Sequence, residues 1–361
     1  MKTIIRNFYF GILWLFSRKK SSAKRLLMVC DFNVQPISVG DFINFQAAST
    51  CLIEEHNLST VDFVLIFDPK GKKNSPVFDH INEGNYFGYL SVIIDILKIN
   101  RNLGSFFVFN SHDQFNQIFY DKISNYLVWP SFSKFINKEY LNWTFFNEVF
   151  LDYHKKFNKI PTINFTQELY EDAMSFFSSN MLDGQIPVTI NLRNNPHYGQ
   201  HRNSIIHAWA HLFEYCLLNK YPVKFFVICS SSEIDPSLVH FSNVTFTKYQ
   251  GTRIDLELAL IYFSSFHLGP PSGPCQIIFF NEKPGIQLGF DANPADYKGL
   301  IDEGDYFRYS FSNENQKQSK IRETNESIIF EFERMFNGLN FKEELKKYAD
   351  NQGIKSKNWL K

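Results

Sequence analysis

The sequence is short of what would mark several protein classes. Net charge is absent, with 37 basic residues against 37 acidic ones, so no whole-molecule field gathers a polyanion and no nucleic-acid partner is expected. Cysteine is sparse: Cys30, Cys51, Cys216, Cys229 and Cys275 are odd in number, scattered and mostly set in apolar stretches. With no CxxC pair and no His/Cys cluster they offer neither a zinc site nor a disulfide framework, and they read as reduced core thiols of a cytosolic protein. No internal repeat at a solenoid period appears, which sets repeat architectures aside.

A membrane-crossing run is missing too. Ile4 to Phe16 is almost wholly apolar, but a span needs about 20 such residues. Arg6 interrupts the run, and it ends without the small-residue cleavage site that a secretory signal would require. Arg18, Lys19, Lys20, Lys24 and Arg25 come next in the chain. Two placements suit this pattern: a helix packed on the protein's own core, or one lying in an anionic membrane surface with Trp14 and Phe16 inserted and the cations at phosphate level. The basic flank favours the membrane. Residues 1–24 are therefore set apart as a membrane-associating segment, with residues 4–25 as the contact. The location expected is cytoplasmic, peripheral at the inner face of the cytoplasmic membrane.

What is present is a large apolar share, 44% hydrophobic and 17% aromatic over 361 residues. Single cores stop growing below about 250 to 300 residues, so two domains are expected. Short continuous apolar runs at Arg25–Cys30, Val61–Phe67 and Ser105–Phe109 predict strands buried on both faces, with helices over Asp41–His56 and Tyr86–Ile99 between them. The alternation resumes with strands at Val188–Leu192, Val223–Cys229, Val244–Thr247, Phe266–Leu268 and Gly285–Leu288, and helices at Ser204–Asn219, Asp255–Ser264 and Gly273–Phe280. This is the α/β pattern of parallel sheets covered by helices. Gln117–Asn180 lacks clear strands and reads as helices and loops. Asn313–Gly353 reads as charged helix with Ile328, Phe330, Phe332, Met335 and Phe336 as its apolar surface. The expected domains are 25–165, 166–310 and a helical segment, 311–361, packing across both.

Three patterns could carry chemistry. In Phe266–Leu288 a strand end runs into Gly269 and two prolines, then Ser272-Gly273-Pro274 at a helix start. Backbone N–H groups at such a turn bind phosphate and glycine permits close approach, although an ordinary strand-turn-helix connection has the same pattern. In Thr189–His201 a buried strand delivers Arg193 to its carboxyl edge, where open α/β sheets bind ligands. A polar loop comes after it with His197, Tyr198, His201 and, just beyond, Arg202. In Ser38-Val39-Gly40-Asp41 the chain leaves the first strand and opens the first helix, so Asp41 either faces the cleft or only caps its helix. Thr252 and Asp255, before the next helix, suit a cap and a first-turn carboxylate.

At these positions the chain resembles GT-B glycosyltransferases of the heptosyltransferase type and the bacterial surface-polysaccharide transferases akin to them. Ser272, Gly273 and Pro274 match the donor-binding Ser/Thr-Gly-Pro, with Pro271 where an acidic residue precedes it; Arg193 and its loop match the diphosphate-facing segment; Gly40-Asp41 matches the Gly-Asp pair that opens the acceptor lobe. The resemblance implies a GT-B-like fold of two Rossmann-like domains facing a central cleft. It implies inverting transfer of a sugar from a nucleotide-sugar donor to a hydroxyl of a glycan or lipid-linked acceptor. Asp41 would be the general base, with Arg193, Arg202, Gly269, Ser272, Gly273 and Pro274 on the donor phosphates. Gly40, His197, Tyr198, His201, Thr252 and Asp255 would be further sugar or nucleotide contacts. No DxD motif is present, in keeping with enzymes that neutralise diphosphate by helix ends and basic side chains, so neither metal nor cofactor is expected. Rival readings are other nucleotide-sugar chemistry on this fold, such as epimerisation or non-sugar transfer, and a silent scaffold of a polysaccharide assembly complex.

Overall fold

A computed structural model describes residues 24–34, 37–67, 84–119, 121–131, 143–196 and 199–351. All but Lys24 of the expected membrane-associating segment, and both His197 and Tyr198, lie outside the described residues. The chain divides into two compact units that meet at Asn164 and Phe165.

The first unit is built on a four-stranded sheet. Its strands are β1 (Arg25–Asp31), β2 (Thr60–Ile66), β3 (Leu103–Phe109) and β4 (Tyr126–Trp129), in the order β3-β2-β1-β4 and all parallel. Parallel strands covered on both faces read as unbroken apolar runs, which is why RLLMVC and VDFVLI were legible. Among the described residues the helices are α1 (Val39–Glu55), α2 (Tyr86–Lys98), α3 (His112–Phe119) and α4 (Trp143–Phe157). β4 corrects the expectation that Gln117–Asn180 holds no strand: four residues give too short a pattern to read.

Helix α1 is buried from Gly40 to Ile53. Phe45 packs edge-on against Phe146 of α4 and Trp129 of β4, with ring centroids 5.0 and 5.6 Å away. Two of its buried polar residues find partners inside: Gln46 donates to the Ile96 carbonyl at 3.2 Å, and Asn100 donates to Gln46 and Ser49 at 2.8 and 3.0 Å. Arg25, expected in the basic membrane flank, instead pairs with buried Asp62 at 2.5 Å, where Tyr126 also donates at 2.9 Å. That contact ties together β1, β2 and β4, because a buried carboxylate must be neutralised.

The second unit holds an eight-stranded sheet in the order β10-β11-β12-β9-β8-β5-β6-β7. β5 (Ile186–Asn191), β6 (Val223–Ile228), β7 (Val244–Phe246), β8 (Phe266–Gly269), β9 (Gly285–Leu288) and β12 (Gln316–Ser319) are parallel neighbours. β10 (Leu300–Asp302) and β11 (Tyr306–Tyr309) add an antiparallel edge. Helices α5 (Gln167–Asn180), α6 (Ile206–Leu218), α7 (Ile254–Phe263), α8 (Asn325–Asn337) and α9 (Phe341–Asn351) complete the unit. The segment after residue 310 is thus not helical throughout. Ile328, Phe332 and Met335 of α8 enter the core with Trp209, Phe225 and Phe266, while Phe330, expected on that apolar face, is 58% exposed. Among the described residues no helix is long and apolar enough to cross a membrane.

Candidate active site

In the second unit β6 and β7 lie on one side of β5, and β8 and β9 on the other. Strand order therefore reverses between β5 and β8, the switch point at whose carboxyl edge open α/β sheets bind ligands. Two segments singled out in the sequence meet there. The β8 end approaches β5 so closely that a Cβ on Gly269 would stand 3.0 Å from the Asn191 carbonyl oxygen. Asn191 then holds the next turn: its Oδ1 accepts from Ser272 Oγ at 2.7 Å, and its Nδ2 donates to the Leu192 and Ile228 carbonyls at 2.8 and 3.0 Å.

Ser272 is buried and its hydroxyl is engaged by Asn191, so it positions the turn. Beneath it His267 meets Thr189 Oγ1 at 2.9 Å and Cys275 Sγ at 3.2 Å. Burial drives the His267 pKa down to about 3 and pushes the Cys275 thiol up to about 12. Both are therefore neutral supports at physiological pH. Gly273 and Pro274 are half-buried at the turn's tip. The α-helix expected from Gly273 is instead a 3-10 helix, Pro274–Phe280, whose fully buried Ile277, Phe279 and Phe280 fill the adjoining core. A short 3-10 turn carries a weaker end dipole than an α-helix.

The loop after β5 is stitched to itself. Arg193 is 8% exposed, and its Nη1 donates to the Gly199 carbonyl at 2.7 Å and to Asn203 Oδ1 at 2.5 Å. Its own N–H reaches Ser204 Oγ at 3.1 Å. Arg193 thereby clamps the loop that carries His201 and Arg202. Gly199 has φ +59°, and a Cβ there would lie 2.6 Å from the Arg202 guanidinium, so glycine is needed for Arg202 to lie across the backbone. His201 and Arg202 line an open cleft of about 530 Å³ together with Pro271, Phe290, Asp291 and Tyr297. The last three, on the loop after β9, were not found from sequence.

Thr252 and Asp255 stand elsewhere in structural roles. Thr252 donates to Glu257 at 2.8 Å, beside Thr247 and the ammonium of Lys248, which reach the same carboxylate at 2.9 Å. Asp255 pairs with Arg253 at 2.7 Å.

In the first unit the order reverses between β1 and β4. The chain leaving β1 reaches Ser38, the N-cap of α1, with Gly40 and Asp41 as its second and third residues. Ser38, not Asp41, is thus the cap. Asp41 is 9% exposed, and burial raises its pKa to about 7 against the lowering effect of the Ser38 hydrogen bond. A carboxyl near neutrality suits proton abstraction at physiological pH. Asp31, at the end of β1, holds His112 Nε2 at 2.7 Å. That pair was also missed, because its members are 81 residues apart. Among the described residues no group of three or more His, Cys, Asp or Glu side chains could hold a metal ion.

Two Rossmann-like α/β units in tandem define the GT-B type of fold. Two solved structures share it with this chain. One is the glycosyl transferase family 9 structure from Veillonella parvula DSM 2008, with TM-score 0.51, 13% identity, and 91% of this chain and 97% of that one covered. The other is the E. coli ADP-heptose lps heptosyltransferase II, with TM-score 0.50, 12% identity, and coverage of 87% and 98%. No family model and no curated protein sequence matches.

Proposed function

We propose that the protein is an inverting, metal-independent glycosyltransferase that moves a sugar from a nucleotide-sugar donor to a hydroxyl of a bacterial surface glycan. The observation that carries this reading is the buried Asp41 carboxyl, raised to about 7 at the carboxyl edge of a parallel sheet. A carboxyl of that pKa is ionised about half the time at neutral pH and is a stronger base than an ordinary carboxylate. Asp41 would take the acceptor hydroxyl proton as the oxygen attacks the anomeric carbon. The bond from that carbon to the diphosphate oxygen then breaks, and the nucleoside diphosphate leaves with the electron pair.

The second unit would hold the donor. Arg202 at the cleft supplies positive charge, and His201 a ring nitrogen, to oxygens that become more negative as the bond breaks. Guanidinium suits this by engaging phosphate oxygens bidentately. Arg193 would contribute through the loop it fixes. The shared fold supports the class of reaction, since a heptosyltransferase is built on it. A cytoplasmic site, peripheral at the inner membrane face, belongs to this reading through residues 4–24 and the lipid-linked acceptor it would meet there.

The test is a thermal-shift screen with UDP-, GDP-, ADP-, TDP- and CMP-linked sugars, then donor hydrolysis in the absence of acceptor. A donor at a hundredfold excess over its Kd should raise stability by about 2.7 kcal/mol. Slow release of nucleotide is the result expected of a transferase. Binding without any release or transfer would favour a scaffold, and no binding by any donor would overturn the reading.

A further inference from the structure

The loop after β9 is built to hold two rings and a carboxylate against the cleft. Gly289, at φ +73°, turns the chain out of β9, and the N–H groups of Gly289 and Phe290 bond the Ile321 and Ser319 carbonyls at 2.9 and 2.8 Å. The Phe290 ring is braced edge-on by Phe307 at 6.0 Å and meets Tyr297 at 5.9 Å. Asn293 caps the Pro294–Asp296 turn through Ala295 N–H at 3.2 Å, and the Tyr297 carbonyl accepts from Leu300 at 3.0 Å. Phe290 and Tyr297 are half-buried and Asp291 is exposed.

In sheet order this loop lies beyond the β8 turn from the loop of His201 and Arg202. The cleft therefore has a cationic end and an end that is aromatic and acidic. The two ends suit different parts of one molecule. A carboxylate repels phosphate, so Asp291 disfavours a diphosphate at its own end and leaves that group to Arg202. An aromatic face packs on the C–H face of a sugar ring, while a carboxylate, which only accepts, takes hydroxyl protons.

We propose that Phe290, Asp291 and Tyr297 form the donor's sugar subsite and select a neutral, hydroxyl-rich ring over a carboxylate-bearing sugar. This rests on the donor reading above. The nucleoside lies outside this wall, so its contribution to affinity is separable from that of the sugar.

Calorimetric titration of the full chain with UDP, UDP-glucose, UDP-glucuronic acid, GDP, GDP-mannose, ADP and ADP-glucose tests it. For the nucleotide that binds, the neutral conjugate should exceed the free diphosphate in affinity. Tyr297→Ala and Asp291→Asn should each reduce that margin about tenfold, as loss of a ring or charged hydrogen bond does, with affinity for the free diphosphate unchanged. Asp291→Asn should also narrow the gap between UDP-glucose and UDP-glucuronic acid. Arg202→Ala should weaken free diphosphate and conjugate alike. The inference is overturned if the wall variants weaken the free diphosphate as much as the conjugate, or alter neither. Because Asp291 is exposed, its substitution decides the matter even if Tyr297→Ala does not fold. If neither diphosphates nor conjugates bind the wild-type chain, the donor reading fails and the subsite with it.

Discussion

Ser38 and Asp41 bond each other twice: the Ser38 hydroxyl donates to Asp41 Oδ2 at 2.5 Å and accepts the Asp41 backbone N–H at 3.2 Å. One residue pair thus both starts helix α1 and tunes the carboxyl proposed as base. Replacing Ser38 by Ala should cost about 1 kcal/mol through loss of the cap. It should also move the kinetic pKa upward, because the lost bond favours the ionised form. Chemical denaturation and a pH–rate profile measure the two effects separately.

Asp41→Asn removes the base and nothing of comparable size. Turnover should fall about 10²- to 10⁴-fold, with donor affinity unchanged by calorimetry. In the wild type the rate should rise with pH through about 7. Activity at wild-type level in the variant would remove Asp41 from the mechanism.

Stability should run opposite to activity with pH. Asp41 is held above its ordinary value of 3.8, at about 7, so between those values the folded chain binds more protons than the unfolded one. Its contribution is then lost as pH rises through that window, by at most about 4 kcal/mol. Asp41→Asn should show a flatter stability profile from pH 4 to about 7 and be the more stable protein above it. Urea titrations across that range check the sign.

Glu323 should behave likewise. It is 4% exposed, accepts the Ile205 N–H at 2.5 Å at the amino end of α6, and is raised to about 7, burial outweighing that hydrogen bond. Glu323→Gln keeps an acceptor oxygen and removes the charge. The stability lost in the wild type as pH climbs from about 4.5 to 7 should be smaller in the variant, as urea midpoints would record.

Gly269→Ala probes the approach of β8 to β5. The added Cβ meets Asn191 backbone, which cannot swing aside, so overpacking should cost about 1–3 kcal/mol. Because Asn191 carries Ser272, donor affinity should fall as well, measured on the folded fraction.

β1 beside one switch point and β5 and β8 at the other were legible because each is an apolar run, buried and bounded by turns, whereas β4 was too short to read. β12 was not legible either, because Gln316–Ser319 is polar in sequence. Its buried Gln316 donates to the Ile278 carbonyl at 2.7 Å, and Gln318 donates to Gln287 Oε1 at 3.1 Å, partners that no local pattern reveals. Asp41 could be found because Gly-Asp comes after a strand and opens a helix. Arg193 was placed correctly at the strand end, but the direction of its side chain depends on acceptors offered by Gly199 and Asn203. Asn191 was hidden inside a run read only for its apolar content, and the β9 loop carries no motif at all.

The thiol of Cys275 lies sealed under the bend that Ser272 forms with Asn191. An alkylating reagent can reach this sulfur only when the bend lifts, so the rate of its modification becomes a clock for that opening. Molecules that settle on the loops above should slow the clock, giving a gauge of occupancy that needs neither a known acceptor nor a completed reaction.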